Sequence, residues 1–260
     1  MYFIVSFIAS VVGAICGIGG GVIIKPVLDC FNVASVSTIS FLSGCTVLSM
    51  SCYSVGKAFI AHDSKVDMKI GTPLAIGAAC GGLLGKYLFD NVKALFQNTE
   101  TIGAIQSICL VLITVGTLLY TLYKDKIPAM HLTSKTICAA IGLFLGIMSS
   151  FLGIGGGPIN LVVLFFFFSM DTKTAAQNSL YIILISQIFS LLFTFVSGTV
   201  PNFAPMSLAV MVVGGVTGGI LGRIFNKRID NKTVNHLFIS IMVVIVIISS
   251  YNIYKFLVIG

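Results

Sequence analysis

The chain has 260 residues, of which 57% are hydrophobic and only 9% are charged, and it carries a net charge of +7. Soluble domains carry about 25% charged residues because water must wet their surfaces, so this composition excludes an ordinary soluble domain. In a membrane protein, lysine and arginine collect at the cytoplasmic ends of the spans, so the positive charge does not call for a nucleic-acid partner.

The first half of the chain begins with an apolar segment, Tyr2 to Phe31, that a run of glycines interrupts at Gly17-Ile18-Gly19-Gly20-Gly21. Three uninterrupted apolar segments follow, each near the ~20 residues that a helix needs to cross the hydrocarbon. They are predicted at about Val36 to Ile60, Ile70 to Phe89 and Thr101 to Tyr123. This half, residues 1–123, is predicted to be one membrane repeat.

A polar stretch, Lys124 to Lys135, is predicted to link this repeat to a second one at 136–260. The second half again begins with a glycine-interrupted segment, Leu132 to Met170, and continues with three spans. Those spans are predicted at about Thr174 to Ser197, Ala204 to Phe225 and Val234 to Phe256.

Two motifs recur in the same order in both halves. The first glycine run reappears letter for letter as Gly153-Ile154-Gly155-Gly156-Gly157, at an offset of 136 residues. The sequence Gly81-Gly82-Leu83-Leu84-Gly85-Lys86 corresponds to Gly218-Gly219-Ile220-Leu221-Gly222-Arg223, at an offset of 137. Two motifs at nearly the same offset indicate an internal duplication.

The glycine-interrupted segments either cross the membrane once or enter it and return as hairpins. If they cross, eight lysines and arginines lie on one side and seven on the other; if they return, the division is eleven against four. The positive-inside rule therefore favours hairpins, six full crossings, and both termini on the outer face of a bacterial plasma membrane. The predicted fold is an all-α polytopic membrane protein of two inverted repeats, each a re-entrant helix pair plus three transmembrane helices. Such repeats are typical of secondary transporters.

The glycine runs are candidates for a binding site. Glycine accepts positive φ and allows backbone N–H groups to approach a ligand. The second half-helix of each hairpin would begin at its turn and direct unpaired N–H donors and a positive dipole end toward the membrane centre. Two facing helix N-termini would form an anion site, with the candidates Gly19, Gly20, Gly21, Gly155, Gly156 and Gly157. The alternative is that these glycines only allow close helix packing, which is the interpretation preferred for the series Gly77, Gly81, Gly85 and Gly214, Gly218, Gly222.

Polar side chains at membrane depth are further candidates, because an unpaired polar group is costly in hydrocarbon and tends to face a cavity. The set comprises Thr38, Ser43, Asn160, Gln177, Asn178, Ser179 and Gln187. Hydrogen bonding between helices is the alternative for any single hydroxyl. Aspartates such as Asp29 are predicted near span ends or in loops, so a buried carboxylate proton relay is not expected.

The chain resembles the sulfite exporter TauE/SafE family over nearly its whole length. The resemblance is carried by the duplicated glycine run with Pro26 and Leu28 after its first copy, by Val66-Asp67, and by the paired motifs that end at Lys86 and Arg223. It implies transport of small sulfur-containing anions such as sulfite and sulfonates, or of related organic acids. It also implies anion binding at both glycine runs and at Gln177-Asn178-Ser179, where the family commonly has Thr-Ser.

The sequence thus predicts a secondary transporter that works as an exporter of a small anion. The expected partners are that anion, a coupling proton or sodium ion and the lipid bilayer; a homodimer is left open, and no cofactor, metal or nucleic acid is expected. A passive anion channel or a non-transport membrane scaffold is the alternative. An intramembrane enzyme would need a nucleophile with a base, or a metal cluster, at membrane depth, and the sequence predicts neither.

Overall fold

The computed structural model describes residues 1–95 and 99–259, and this part of the chain is helical without β-strands. The α-helices in it are α1 (Tyr2–Cys16), α2 (Gly21–Phe31), α3 (Val36–Ile60), α4 (Met68–Leu95), α5 (Thr99–Tyr123), α6 (Lys135–Leu152), α7 (Pro158–Phe168), α8 (Thr172–Val196), α9 (Pro205–Arg228) and α10 (Asn231–Tyr254). A short 3-10 helix, Lys124–Lys126, follows α5, and a π-helical turn, Lys255–Ile259, extends α10. The predicted all-α class is confirmed.

Local sequence explains several helix ends. The Ser35 side chain accepts a hydrogen bond from the N–H of Thr38 at 3.2 Å and caps α3. Asp230 caps α10 in the same way, accepting from the N–H of Thr233 at 3.1 Å. Pro158 occupies the first position of α7, where its missing N–H removes no helical hydrogen bond.

Among the described residues, seven helices are long and apolar enough to cross a membrane. Six of them lie at the predicted spans, and α3 has the predicted ends. The seventh is α6, an 18-residue helix that the sequence analysis treats as the first arm of a hairpin. Helices α1 and α7 are shorter, with 15 and 11 residues. The six predicted crossings therefore stay a prediction.

Each glycine-interrupted segment reverses direction. The N–H groups of Met130 and Leu132, before α6, donate to the carbonyls of Phe166 and Phe167 in α7 at 2.6 and 3.0 Å. In the first half, Tyr2 packs against the same apolar cluster as Val33, beyond the end of α2. Each segment therefore begins and ends on one side of the bundle.

The helical bundle has two ends, the terminal face and the linker face. The terminal face is the end where Tyr2, Val33 and Pro201 line a common cavity. The linker face is the opposite end, where Lys65 contacts Gln177, Arg223 contacts Asp63 and Lys124 contacts Asn235.

The two halves pack through two equivalent pairs of helices, each with one helix from either half. Helix α4 of the first half lies along α6, and its counterpart α9 lies along α1. Glycines make both contacts close: a Cβ atom at Gly81 would overlap the backbone of Leu143, and one at Gly218 would lie 2.8 Å from the Cβ atom of Ser10. The two small-residue series thus serve helix packing. Between these pairs, α3 packs against α8, and α5 packs against α10.

Candidate functional site

The first glycine turn joins α1 to α2. Gly17 ends α1 in the left-handed conformation, with φ of 76°, and its N–H donates to the carbonyl of Gly13 at 2.8 Å. Gly19 also has positive φ, at 71°. Helix α2 begins at Gly21, so its first N–H groups have no carbonyl partner within the helix. The turn therefore presents backbone donors and the positive end of a helix dipole.

The second turn, between α6 and α7, is built in the same way. Gly153 ends α6 with φ of 65°, and Gly155 and Gly156 follow with φ of 68° and 139°. These backbone conformations strain any residue with a side chain, so glycine is required at the three positions. Helix α7 then begins at Pro158.

The two turns touch each other between α3 and α8. A Cβ atom at Gly21 would overlap the carbonyl oxygen of Ile154 in the opposite turn. A Cβ atom at Gly19 would lie 3.4 Å from Val47 of α3 and 3.3 Å from Ile183 of α8. The helix N-termini of α2 and α7 are therefore brought together in the interior of the bundle.

A cavity of about 490 Å³ lies beside the second turn and extends to the terminal face. Gly153 and Gly155 form part of its wall. Its polar lining includes Ser37, Ser40, Lys86, Gln106, Ser149, Ser150, Gln187, Ser190 and Thr194. Lys86 is a cation of this cavity; its Nζ donates to the Thr194 hydroxyl and lies 5.6 Å from the centre of the Phe193 ring.

A second cavity beside the first turn is the counterpart of this one, but its volume is only about 40 Å³. Most of its lining residues correspond to lining residues of the large cavity at the repeat offsets of 136 and 137. The pairs are Ala14 and Ser150, Ser54 and Ser190, Val55 and Leu191, Ala58 and Thr194, Ala176 and Ser40, Leu180 and Gly44, Arg223 and Lys86, and Asn226 and Phe89. Equivalent residues thus surround an open space in one half and a nearly closed one in the other.

An ion cluster closes the small cavity at the linker face. Arg223 donates to Asp63 at 2.5 Å and to the carbonyl of Ser54 at 3.3 Å, and Lys227 pairs with the same carboxylate. The hydrogen bond from Lys227 lowers the pKa of Asp63, and Arg223 contributes in the same direction. The residue equivalent to Asp63 is Thr199, which lines the large cavity and brings no charge.

The structure brings several predicted polar side chains to the two turns. Gln187 lies beside Gly155, since a Cβ atom there would be 3.1 Å from its amide, and it lines the large cavity. The Ser43 hydroxyl would lie 3.1 Å from a Cβ at Gly21. Asn160 is buried in the first turn of α7. Ser43, Asn160 and the equally buried Ser179 each carry a side-chain oxygen without a hydrogen-bond partner among the described residues.

The remaining predicted glycines are packed within the turns. A Cβ atom at Gly20 would lie 3.2 Å from the hydroxyl of Ser10, and one at Gly157 would lie 3.1 Å from the Ile154 side chain. Both glycines are buried.

Three predicted polar residues are not brought to the turns. The Thr38 hydroxyl donates to the carbonyl of Asn202 at 3.0 Å, near the terminal face. Gln177 and Asn178 instead hold the loop before α4, accepting from the N–H groups of Lys65 at 2.7 Å and Asp67 at 3.0 Å. Gln177 also lines the small cavity at the linker face.

The expectation that carboxylates stay at the periphery is wrong for Asp29. Its side chain is 3% exposed and forms an ion pair of 2.8 Å with Lys25, one helical turn earlier and 4% exposed. Asp29 lies near the end of α2, but α2 and its neighbours bury it. The pair lies next to the second turn, since the Cε atom of Lys25 is 3.4 Å from where a Cβ atom at Gly153 would be.

Sequence reasoning also missed part of the large cavity. Lys86 had a usable signal, because it ends a repeated motif whose other copy ends in Arg223. No sequence signal marks Gln106, Ser149 and Ser150, because only the packing of α5 and α6 brings these side chains to the cavity.

Comparisons with known proteins agree with this geometry. Residues 2–249 match the sulfite exporter TauE/SafE family. The chain is 25% identical over 253 residues to the probable membrane transporter protein YunE of Bacillus subtilis (strain 168), which covers 89% of each chain. No solved structure matches the chain. A family match over nearly the whole length, together with a multi-pass apolar helical bundle, shows that this chain is a membrane protein of the sulfite exporter TauE/SafE family.

Proposed function

We propose that this protein is a secondary transporter that moves a small anion by alternating access around the two glycine turns. The observation that carries the proposal is the pair of equivalent cavities, about 490 Å³ beside one turn and about 40 Å³ beside the other. In an inverted-repeat transporter, exchange of the conformations of the two halves converts one access state into the other. The structure then corresponds to a state open at the terminal face.

The contacts between equivalent helices support inversion of the two halves. Phe41, near the start of α3, packs on Phe195 at the end of α8 with ring centroids 6.1 Å apart. Phe59, at the end of α3, packs at 6.4 Å on Tyr181 in the first half of α8, so the two helices are antiparallel. Helices α5 and α10 are antiparallel as well, because the Lys124 end of α5 contacts the start of α10. Equivalent helices that run in opposite directions are expected when the symmetry axis lies in the membrane plane.

The chemistry of the site favours an anion. Two helix N-termini supply N–H donors and positive dipole ends, which stabilise negative charge. Gln187 and Gln106 add amide groups to the wall of the open cavity, and Lys86 adds a positive charge. Amides and hydroxyls donate hydrogen bonds to the oxygens of an oxyanion. With the family relationship, these features favour a sulfur-containing oxyanion, a sulfonate or a related organic acid, moved across a bacterial plasma membrane.

Flux into proteoliposomes tests the proposal. The panel of anions is sulfite, thiosulfate, sulfoacetate, taurine and acetate. We expect saturable uptake of at least one of them and acceleration by the same anion on the opposite side, since counter-transport distinguishes a carrier from a channel. Flux that rises linearly with concentration and shows no counter-transport would instead identify a passive channel, and no flux of any anion would refute a transport function for this panel.

A matched pair of variants ties the flux to the turns. Gly156 has φ of 139°, and a Cβ there would lie 2.5 Å from Ile183, so Gly156→Leu should abolish uptake. Gly116 lies on α5 with nothing within 4 Å of its Cβ position, so Gly116→Leu should keep wild-type uptake. Equal uptake by both variants would exclude the second turn from the transport path.

A further inference from the structure

We infer that the buried Lys25–Asp29 pair couples anion binding to the uptake of one proton. This inference rests on the proposed function and assigns its coupling ion. Lys25 is the cation to which the transported anion binds. Asp29 is the carboxylate that pairs with Lys25 when no transported anion is bound.

The position of the pair gives it access to the site. Gly153 and Gln106 belong to the wall of the large cavity, and Lys25 lies directly behind them. Gly153 has no side chain to separate the Cε atom of Lys25 from the second turn. Rotation of the flexible lysine stem is therefore enough to carry the ammonium group from Asp29 toward an anion at the turn.

The hydrogen bonding of Asp29 makes it suited to exchange. Its Oδ2 atom accepts from Lys25, whereas its Oδ1 atom is buried and has no partner among the described residues. Gln106 next to it also has an unpartnered amide oxygen, while its amide nitrogen donates to the carbonyl of Phe151 at 2.6 Å. A fixed structural carboxylate is normally hydrogen-bonded through both oxygens, so this one depends on Lys25 alone.

Among the described residues, Lys25 is the charged side chain that contacts the Asp29 carboxylate. A separate pocket beside the pair is otherwise lined by the uncharged residues Pro26, Gln106, Ser107, Leu110 and Leu152. Helix α1 has no charged residue or histidine. On α3 and α10, Lys57, Lys232 and His236 lie toward the linker face. Lys255 reaches only the backbone carbonyls of Asp29 and Cys30, at 3.3 and 2.9 Å.

Lys25 is the ion partner of Asp29, so an anion that takes Lys25 would leave the buried Asp29 carboxylate without an ion partner. An unpaired buried charge is strongly destabilising. A proton that binds Asp29 from the cavity as the anion takes Lys25 removes this unpaired charge, and anion and proton leave together when the site opens on the other side. No covalent bond other than the carboxyl O–H forms or breaks.

Accumulation driven by a proton gradient tests this coupling. The probes are thiosulfate and sulfoacetate, whose charges do not change near neutral pH. Proteoliposomes with the full chain are given a gradient of one pH unit, while valinomycin and equal potassium hold the membrane potential at zero. One coupled proton should concentrate the probe about tenfold on the alkaline side, because one pH unit is a tenfold ratio of proton activity. If a probe is transported but reaches equal concentrations on both sides of the membrane, the inference is overturned while the proposed function stands.

Variants separate coupling from a structural role. Asp29→Asn should keep flux but lose accumulation, and Lys25→Met should lose flux. The double variant Lys25→Met/Asp29→Leu replaces both charges by apolar groups and should fold yet not transport; accumulation by it would overturn the inference. Asp230→Asn alters an exposed helix cap and should accumulate the probe as the wild type does. If neither probe is transported, the inference is overturned. If no anion of the panel is transported, the proposed function is overturned as well.

Discussion

Replacement of Gly21 by alanine tests the contact between the two glycine turns. Gly21 begins α2 without positive φ, so alanine adds a methyl group and no backbone strain. That methyl would overlap the carbonyl oxygen of Ile154 and lie 3.1 Å from the hydroxyl of Ser43. Because the obstacle is backbone, no rotation of a side chain relieves it. Overpacking of this kind costs about 1–3 kcal/mol, and we expect the upper end of that range.

The assay is denaturant unfolding of the detergent-purified protein, paired with anion flux. The control is Gly56→Ala in α3, where no atom lies within 4 Å of the Cβ position. Alanine is the better helix former by about 1 kcal/mol, so this control should be neutral or slightly stabilising. We expect Gly21→Ala to unfold at lower denaturant and to lose most of its flux. If the two variants unfolded together and both transported, the turns would not be in contact and the proposed site would be refuted.

Three further predictions concern the ends of the bundle, and the two labelling experiments use a background without the native cysteines. Asp63→Asn should weaken closure of the linker face. An impermeant maleimide should then label Ala58→Cys faster and its counterpart Thr194→Cys more slowly. Unchanged labelling at both positions would show that Asp63 does not hold the linker face closed. Because the hydrogen bond from Lys227 lowers the pKa of Asp63, closure is fully supported above the ordinary carboxyl pKa and is lost as the pH falls through the lowered value. Acid should therefore raise the rate of Ala58→Cys labelling relative to that of Thr194→Cys, a ratio that cancels the slower reaction of protonated thiols. Lys86→Met should raise the KM for a panel anion about fivefold, for about 1 kcal/mol of lost attraction, while Lys232→Met at the linker face should leave KM unchanged.

Sequence periodicity and duplication were enough to predict most of the helices and both turns. An uninterrupted apolar run of about twenty residues has few alternatives in a membrane, which is why α3 has its predicted ends. The glycine turns were predictable because three consecutive glycines have little use inside a helix. The length of α6 was not, since only its packing along α4 shows where that arm lies.

The side chains of the site were harder to predict, because their roles depend on contacts between distant segments. Gln177 and Asn178 follow the polar pattern of a site but bind the loop before α4, about 110 residues earlier in the chain. Asp29 looks peripheral in the sequence, and only the packing of α2 against α3 and α10 buries it. The local sequence predicts where a residue lies along its helix, but it does not predict which other helices pack against that residue.

In the proposed transport cycle, the exchange of access depends on how firmly the linker face is closed. Asp63 ties Arg223 and Lys227 together there, whereas the equivalent residue of the other half is the uncharged Thr199. The Asp63 side chain is 32% exposed and that of Lys227 is 55% exposed, and ion pairs that water reaches contribute about 1 kcal/mol or less each. Two states separated by a few kcal/mol leave the minor state populated at roughly 0.1–10%. A cluster of this strength therefore biases the protein toward the terminal-open state without locking it, whereas a fully buried pair at the same place would oppose each transport cycle.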